Sequence, residues 1–272
     1  MCGTIAVMQR WGWMLVCLIA CATGAGAADD RDPLARARLL YNQRQFEAAI
    51  VAADQARLIP ARADNADLIA ARAYLEQFRE SEAADDLTSA RERLRRIHPG
   101  RFGPQERVEF IVGLGETLYF DGSYGAAASV FESVIVPAGA LTPGERERVL
   151  DWWASALDRD ARPRSEFERQ PIYLKIRDRM TAELAAAPAS ATAAYWISAA
   201  ARGHGDLQGA WDAAQAGWVR APLASDRGAA LRDDLDRLVL RALVPERARQ
   251  MGQSPDLVRL EWERFKERWL DP

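Results

Sequence analysis

Histidine has an ordinary pKa that suits acid–base chemistry near neutral pH, and it is a common metal ligand. The chain has two histidines, His98 and His204. Neither has a second histidine or a cysteine at metal-binding spacing, and an isolated histidine without a partner rarely marks a catalytic or metal site. His98 precedes a proline and His204 lies between two glycines, so both are interpreted as turn residues. The sequence predicts no metal site and no cofactor.

Three glycines, Gly203, Gly205 and Gly209, nearly imitate a phosphate-binding loop. The third glycine comes one residue too late for the dinucleotide-binding pattern, and no strand leads into the motif. We interpret these glycines as a tight turn between two closely packed helices. Adjacent carboxylates such as Asp85 and Asp86 do not face each other on a helix, and no G-x-S-x-G or S-x-x-K motif is present. The chain is therefore predicted not to be an enzyme.

The charge pattern argues against nucleic-acid binding. Formal net charge is −3 and the isoelectric point is about 5.6. The most basic segment contains Arg91, Arg93, Arg95 and Arg96. The same helix carries an apolar stripe of Leu87, Ala90, Leu94 and Ile97, so the arginines are expected on its solvated face.

The first thirty residues have the features of an export signal. Arg10 precedes an apolar run over 11–23, followed by small residues and an A-x-A site at 25–27. Cleavage there would remove a signal peptide, 1–27, and release a soluble protein. The segment 18–21, Leu-Ile-Ala-Cys, instead resembles a bacterial lipobox, which would make 1–20 a lipoprotein signal and Cys21 the acylated residue. We expect export to the periplasm under either alternative, with membrane attachment only through a lipid on Cys21. No cysteine follows position 21.

A repeat of 34 positions organises the part of the chain after this signal. Five small or large residues in 37–56 recur as residues of the same kind in 71–90: Ala37, Leu40, Tyr41, Ala49 and Ala56 return as Ala71, Tyr74, Leu75, Ala83 and Ala90. Such a period is typical of helix-turn-helix repeat proteins.

These segments resemble tetratricopeptide (TPR) repeats, in which small residues let the paired helices approach and large residues fill the grooves beside them. The best match reads Gly115, Leu118, Tyr119, Gly122, Tyr124, Ala127, Phe131 and Val134, ending at Pro137. A looser one reads Ser198, Ala201, Gly205, Leu207, Ala210, Ala214 and Gly217. The resemblance implies an all-α, right-handed solenoid with three units in 33–137 and one in 189–222.

Further helical stripes lie between and after these units. Thr142-Pro143-Gly144-Glu145 predicts a capped helix with Val149, Trp153, Ala156 and Leu157 on one side, followed by a helix near 171–186. Segment 138–188 is either a degenerate repeat or an insertion. Two capping helices are expected in 223–272, one over about 226–243 and one opened by Ser254, whose stripe of Val258, Trp262, Phe265 and Trp269 seals the last pair.

The resemblance implies a non-enzymatic scaffold or adaptor of the bacterial cell envelope that binds a protein or peptide. In the family, the first helix of each pair lines a concave groove, which assigns the following partner-binding residues here: Arg38, Tyr41, Asn42, Arg72, Glu76, Glu116, Tyr119, Tyr195 and Arg202. Two alternatives stay open: a periplasmic enzyme or enzyme subunit with its site in 138–188, and a structural lipoprotein of an outer-membrane assembly.

Overall fold

The computed structural model describes residues 32–269 except 137, 138, 140 and 225. The predicted export signal, Cys21 and Pro137 therefore lie outside the described residues. All regular elements within the described ranges are helices, which confirms the predicted all-α class.

Three short 3₁₀ turns and one π-turn separate or join the α-helices. The α-helices in chain order are α1 (Pro33–Asn42), α2 (Phe46–Arg57), α3 (Ala63–Ser81), α4 (Ala84–Arg96), α5 (Pro104–Phe120), α6 (Tyr124–Ile135), α7 (Pro143–Ala161), α8 (Glu166–Ala186), α9 (Ala191–His204), α10 (Leu207–Arg220), α11 (Ala229–Leu238), α12 (Val244–Met251) and α13 (Pro255–Glu267).

Consecutive helices pack against each other from α1 through α11. The odd-numbered helices are also in contact with the next odd-numbered one, so α1, α3, α5, α7, α9 and α11 form a row. The even-numbered helices make no comparable contacts with one another within the described part of the chain. This arrangement of sequential pairs is consistent with a helical repeat, and α7 and α8 occupy the same kind of place as their neighbours.

The small residues of the best-matching unit lie where two helices meet. A Cβ atom on Gly115 of α5 would lie 2.5 Å from the ring of Phe131 on α6, which is fully buried. In the later unit, Ser198 is fully buried and its hydroxyl donates a hydrogen bond of 2.7 Å to the carbonyl of Ala210 across the α9–α10 contact. Gly122 and Gly205 both take positive φ angles, +77° and +93°, at the end of the first helix of their pair.

The 34-residue period predicts that Ala83 has the same place as Ala49, and this prediction is wrong. Ala49 is fully buried in α2, whereas Ala83 is exposed and caps the start of α4. The reason is that α3 has 19 residues while α1 has 10, so the second pair has its turn later than the period predicts.

The helix expected near 171–186 begins earlier, at Glu166. Ser165 and Glu168 form a reciprocal capping box there, in the same way as Thr142 and Glu145 at the start of α7. Pro171 therefore lies inside α8 rather than at its beginning. Pro171 is the sixth residue of α8, so the backbone hydrogen bond from this position to the carbonyl of Phe167 is missing, and the capping box starts the helix before the proline all the same.

The C-terminal helices also differ from the prediction. The helix expected over 226–243 continues to Met251 through the π-turn Val239–Leu243, next to Pro245, which cannot donate a backbone hydrogen bond. In α13 the predicted stripe is buried at Val258, Trp262 and Phe265, where Trp262 packs edge-on against two tryptophans of α10. Trp269 follows the end of the helix and is 51% exposed, so its predicted sealing role is wrong.

The arginines of α4 are not all solvated. The Arg93 side chain is only 13% exposed and forms ion pairs with Asp54 of α2 at 2.6 Å and with Asp67 of α3 at 3.0 Å. Asp67 also accepts a hydrogen bond of 3.2 Å from Arg57. These ion pairs connect three helices. The prediction that all arginines of this segment are exposed to solvent is therefore wrong for Arg93. The apolar stripe of the same helix is buried as predicted.

Candidate functional site

Two adjoining cavities lie along the row of odd-numbered helices. The first, of about 330 Å³, is lined by α1, α3, α5, α7 and the turn before α7. The second, of about 580 Å³, is lined by α5, α7, α9, α11 and the residue after α7. The two share four lining residues: Tyr119, Arg148, Asp151 and Ser155. We call the first cavity the Glu116 cavity and the two together the groove.

Helical periodicity explains how each helix presents several residues to the groove. On α5 the lining residues Val108, Val112, Glu116 and Tyr119 follow one another at intervals of three or four, which places them on one face. Gly115 lies three positions after Val112 and four before Tyr119, so it is at the edge of the same face, where α5 meets Phe131 of α6. The contact with α6 and the lining of the groove are therefore side by side on α5.

Seven of the nine predicted binding residues lie in this groove. Five line the Glu116 cavity and three line the second cavity, with Tyr119 in both: Tyr41, Arg72, Glu76, Glu116 and Tyr119, then Tyr119, Tyr195 and Arg202. The other two lie outside it. Arg38 is half exposed and lies 3.5 Å from Glu106, and Asn42 is an exposed residue at the end of α1.

Sequence reasoning missed the contribution of α7. This helix supplies Arg148, Asp151, Trp152 and Ser155 to the groove, although segment 138–188 had no place in the repeat alignment. A signal was present, because the apolar stripe through Val149 fixes which face of α7 is buried. Most of the groove residues of α7 lie outside that stripe, and Val149 of the stripe also reaches the Glu116 cavity.

Most arginines of the Glu116 cavity are already engaged. Arg72 donates a hydrogen bond of 2.6 Å to Glu109, and its guanidinium lies 4.6 Å from the centre of the Tyr41 ring. Arg79 donates to Glu76 at 3.0 Å and lies 5.5 Å from the ring of Trp152. These contacts hold the aromatic rings and the guanidinium groups in fixed positions.

Glu116 differs from the other carboxylates of this cavity. Within the described ranges Glu116 takes part in no salt bridge and no side-chain hydrogen bond, and the same is true of Arg148. Burial raises the pKa of Glu116 to about 7, and the nearby charge of Glu76 adds to this effect. Arg79, Arg72 and Arg148 act in the opposite direction without cancelling it. The cavity therefore holds a carboxyl group that changes charge near neutral pH.

The second cavity combines aromatic rings with charges of both signs. Arg159 lies 5.3 Å from the centre of the Tyr119 ring. Trp196 donates a hydrogen bond of 2.8 Å to Asp151, whose pKa is nevertheless raised, first by burial and then by the charges of Asp234 and Glu147. Arg202, which lines this cavity, donates two hydrogen bonds of 2.9 and 2.6 Å to Glu246, which does not line it.

Segment 138–188 does bring carboxylates and a serine to the groove. Asp151, Ser155 and Asp158 line the second cavity, together with residues of α9 and α11. The histidines lie elsewhere: the Nδ1 atom of His98 is 3.4 Å from Asp64 in a turn, and His204 ends α9 without lining either cavity. Ser155 thus has no histidine beside it in the groove to act as a base.

Comparisons of the chain with protein-family models, with curated proteins and with solved structures give no significant match. Among the described helices, none combines the length and the apolar character needed to cross a membrane.

Proposed function

We propose that the protein is a non-enzymatic scaffold or adaptor that binds a segment of another protein in the groove. The observation that carries this proposal is the continuity of the groove, which runs along six helices and receives its lining only from the odd-numbered helices and their adjoining turns. Binding pockets for small molecules are commonly single concave clefts, whereas an extended row of shallow subsites suits a peptide.

The chemistry of the lining supports the same proposal. Tyrosine, tryptophan and arginine are the residue types that contribute most binding energy in protein interfaces, and the groove presents Tyr41, Tyr119, Trp152 and Tyr195 beside its arginines. Several of these side chains are held in place by ion pairs or ring contacts, so less conformational entropy is lost when a partner binds.

We further infer that the chain is a TPR-like solenoid in which α7 and α8 form a degenerate repeat pair rather than an insertion. The contacts of α7 with both α5 and α9 support this, because an inserted pair would leave α5 beside α9 instead. Export, with an anchor on Cys21 or release as a soluble protein, places the scaffold in the periplasm in this proposal.

Site-specific photo-cross-linking tests the binding function. A photoreactive amino acid replaces Ser155, which lies where the two cavities meet, or Ser129, which is exposed on α6 away from the groove. We expect cross-linked adducts in cells from the Ser155 position and none of the same mass from the Ser129 position.

The captured protein is then purified and titrated with the wild-type chain and with Tyr119→Ala. Removal of an interfacial aromatic anchor typically costs at least about 2 kcal/mol, so we expect affinity to fall by more than about tenfold. Equal adducts at both positions, or equal affinity of the two proteins, would contradict binding in the groove.

A second candidate function, an enzyme with its site in the groove, is supported by the pKa of Glu116, since a carboxyl group that titrates near 7 suits general acid–base catalysis. A panel of chromogenic esters, glycosides, phosphates and peptides tests it. Turnover that is lost in Glu116→Gln would favour the enzyme over the scaffold.

A further inference from the structure

We infer that the Glu116 cavity receives a lysine or arginine side chain of the bound partner, so that the segment recognised by the groove is basic. This inference rests on the proposed binding function and specifies the chemistry of its partner. It follows from the charges, the lining and the remaining free groups of this one cavity.

The charges of the cavity are unequal. Five acidic residues and three arginines line it. Two of the three arginines are committed to carboxylates of the same cavity, Arg72 to Glu109 and Arg79 to Glu76. Glu116 is left beside Glu76 with no ion pair in the described part of the chain, so an incoming cation would neutralise a carboxylate that the protein itself leaves unmatched.

The apolar part of the lining suits the stem of a long cationic side chain. Four aliphatic residues, Val108, Val112, Leu141 and Val149, line the same cavity as Glu116. All are buried or half-buried, and Val149 is 3% exposed. Lysine and arginine bury their methylene groups against apolar surface while the charged end reaches a polar group, and a cavity of about 330 Å³ has room for one such side chain.

An acidic partner group fits this cavity less well. Arg148 is the one arginine of the lining that forms no ion pair among the described residues, and it is exposed at the junction with the second cavity. An anion placed there would lie close to Asp151 and Glu145, which line the same cavity. Among the described residues, three carboxylates of the lining, Glu116, Glu145 and Asp151, form no ion pair, against one such arginine, which favours a basic segment.

Peptide pools of defined charge test this inference on the purified full-length protein. Random-sequence peptides on beads carry arginine, citrulline or glutamate at one fixed central position, and the fluorescently labelled protein is titrated against each pool. Citrulline has the shape of arginine without its charge. We expect the apparent affinity for the arginine pool to exceed that for the citrulline pool by at least about tenfold, and the glutamate pool to bind most weakly.

Two variants locate the effect. Glu116→Gln keeps the size of the side chain and should abolish the preference for arginine over citrulline, and Glu116→Arg should reverse the order so that the glutamate pool binds best. Glu132→Gln is the matched control, since Glu132 pairs with Lys175 at the surface of α6 and does not line the groove. Its pool preference should equal that of the wild type, and circular dichroism confirms that each variant is folded.

The outcomes separate this inference from the binding function itself. Equal binding of the arginine and citrulline pools, or a preference that survives Glu116→Gln, overturns the basic-side-chain inference. If Ser155 still cross-links a partner whose captured segment is neutral or acidic, the scaffold function stands and only the inference falls. If Ser155 gives no adduct and no pool binds, both are wrong.

Discussion

Replacing Gly115 by alanine tests the close approach of α5 and α6 directly. The added Cβ atom would lie 2.5 Å from Cε1 of Phe131 and 2.8 Å from two further ring atoms. Carbon atoms pack at about 3.5–4.0 Å, so the ring or the helix must move by about 1 Å. Because Phe131 is fully buried, we expect an overpacking cost of about 1–3 kcal/mol. The gain in helix propensity offsets about 1 kcal/mol of this cost.

Gly113→Ala is the matched control on the same helix. Its Cβ atom would lie 3.5 Å from Leu94, an ordinary contact, so this variant should gain up to about 1 kcal/mol. Thermal unfolding should show Gly115→Ala melting about 2–4 °C below the wild type and Gly113→Ala at or above it. In the double variant Gly115→Ala/Phe131→Leu the alanine penalty should vanish. Equal melting temperatures of the two alanine variants would refute the close contact, and Gly115→Leu should be worse than Gly115→Ala.

Three further predictions concern charge and location. The folded-state pKa of Glu116, about 7, lies above its ordinary value of 4.5, so the folded protein binds the extra proton and the free energy of unfolding falls as pH rises through this window. Glu116→Gln should therefore be more stable than the wild type by about 1–3 kcal/mol at pH 8 and not below pH 4.5, as measured by urea unfolding; no pH dependence of the difference would contradict the raised pKa. Asp67→Ala should cost about 2–3 kcal/mol because it leaves the half-buried Arg93 with only one carboxylate, whereas the exposed Asp85→Ala should change urea stability by less than about 0.5 kcal/mol. If Cys21 is acylated, Cys21→Ser should move the protein from the membrane fraction to the soluble fraction or leave its signal uncut; mass spectrometry of a soluble wild-type protein beginning at Ala28 would exclude the anchor.

Local patterns predicted the parts of the fold that depend on neighbouring residues. Gly115 and Phe131 belong to one helix pair joined by a short turn, so their spacing in the sequence determines which side chains meet. The capping box at Thr142 is likewise contained in four residues and gave the correct start of α7. Such features need no knowledge of the rest of the chain.

Features that depend on helix length were not predictable in the same way. The extended α3 shifted Ala83 out of the contact, and α8 gained a turn before Pro171 because a second capping box, at Ser165, outweighed the proline. Trp269 has the spacing of a core residue, but the helix ends before it. Periodicity indicates which face would be buried and leaves open whether the helix extends far enough to bury it.

The sequence allowed a prediction of which helices line the groove, but not of which charged residues pair between helices. The family resemblance identified the row of first helices, which brought seven of nine residues to the cavities, because facing the groove is a property of each helix separately. Several polar contacts of the groove join one helix to the next in the row. Arg72 meets Glu109 after 37 positions and Trp196 meets Asp151 after 45, so no fixed period gives the partner. Glu76 has Arg79 three positions later on the same helix, whereas Glu116 has no basic residue three or four positions away on either side. The folded row adds that no arginine of a neighbouring helix pairs with Glu116 in the described part of the chain, and this makes a cationic side chain the expected occupant of the cavity.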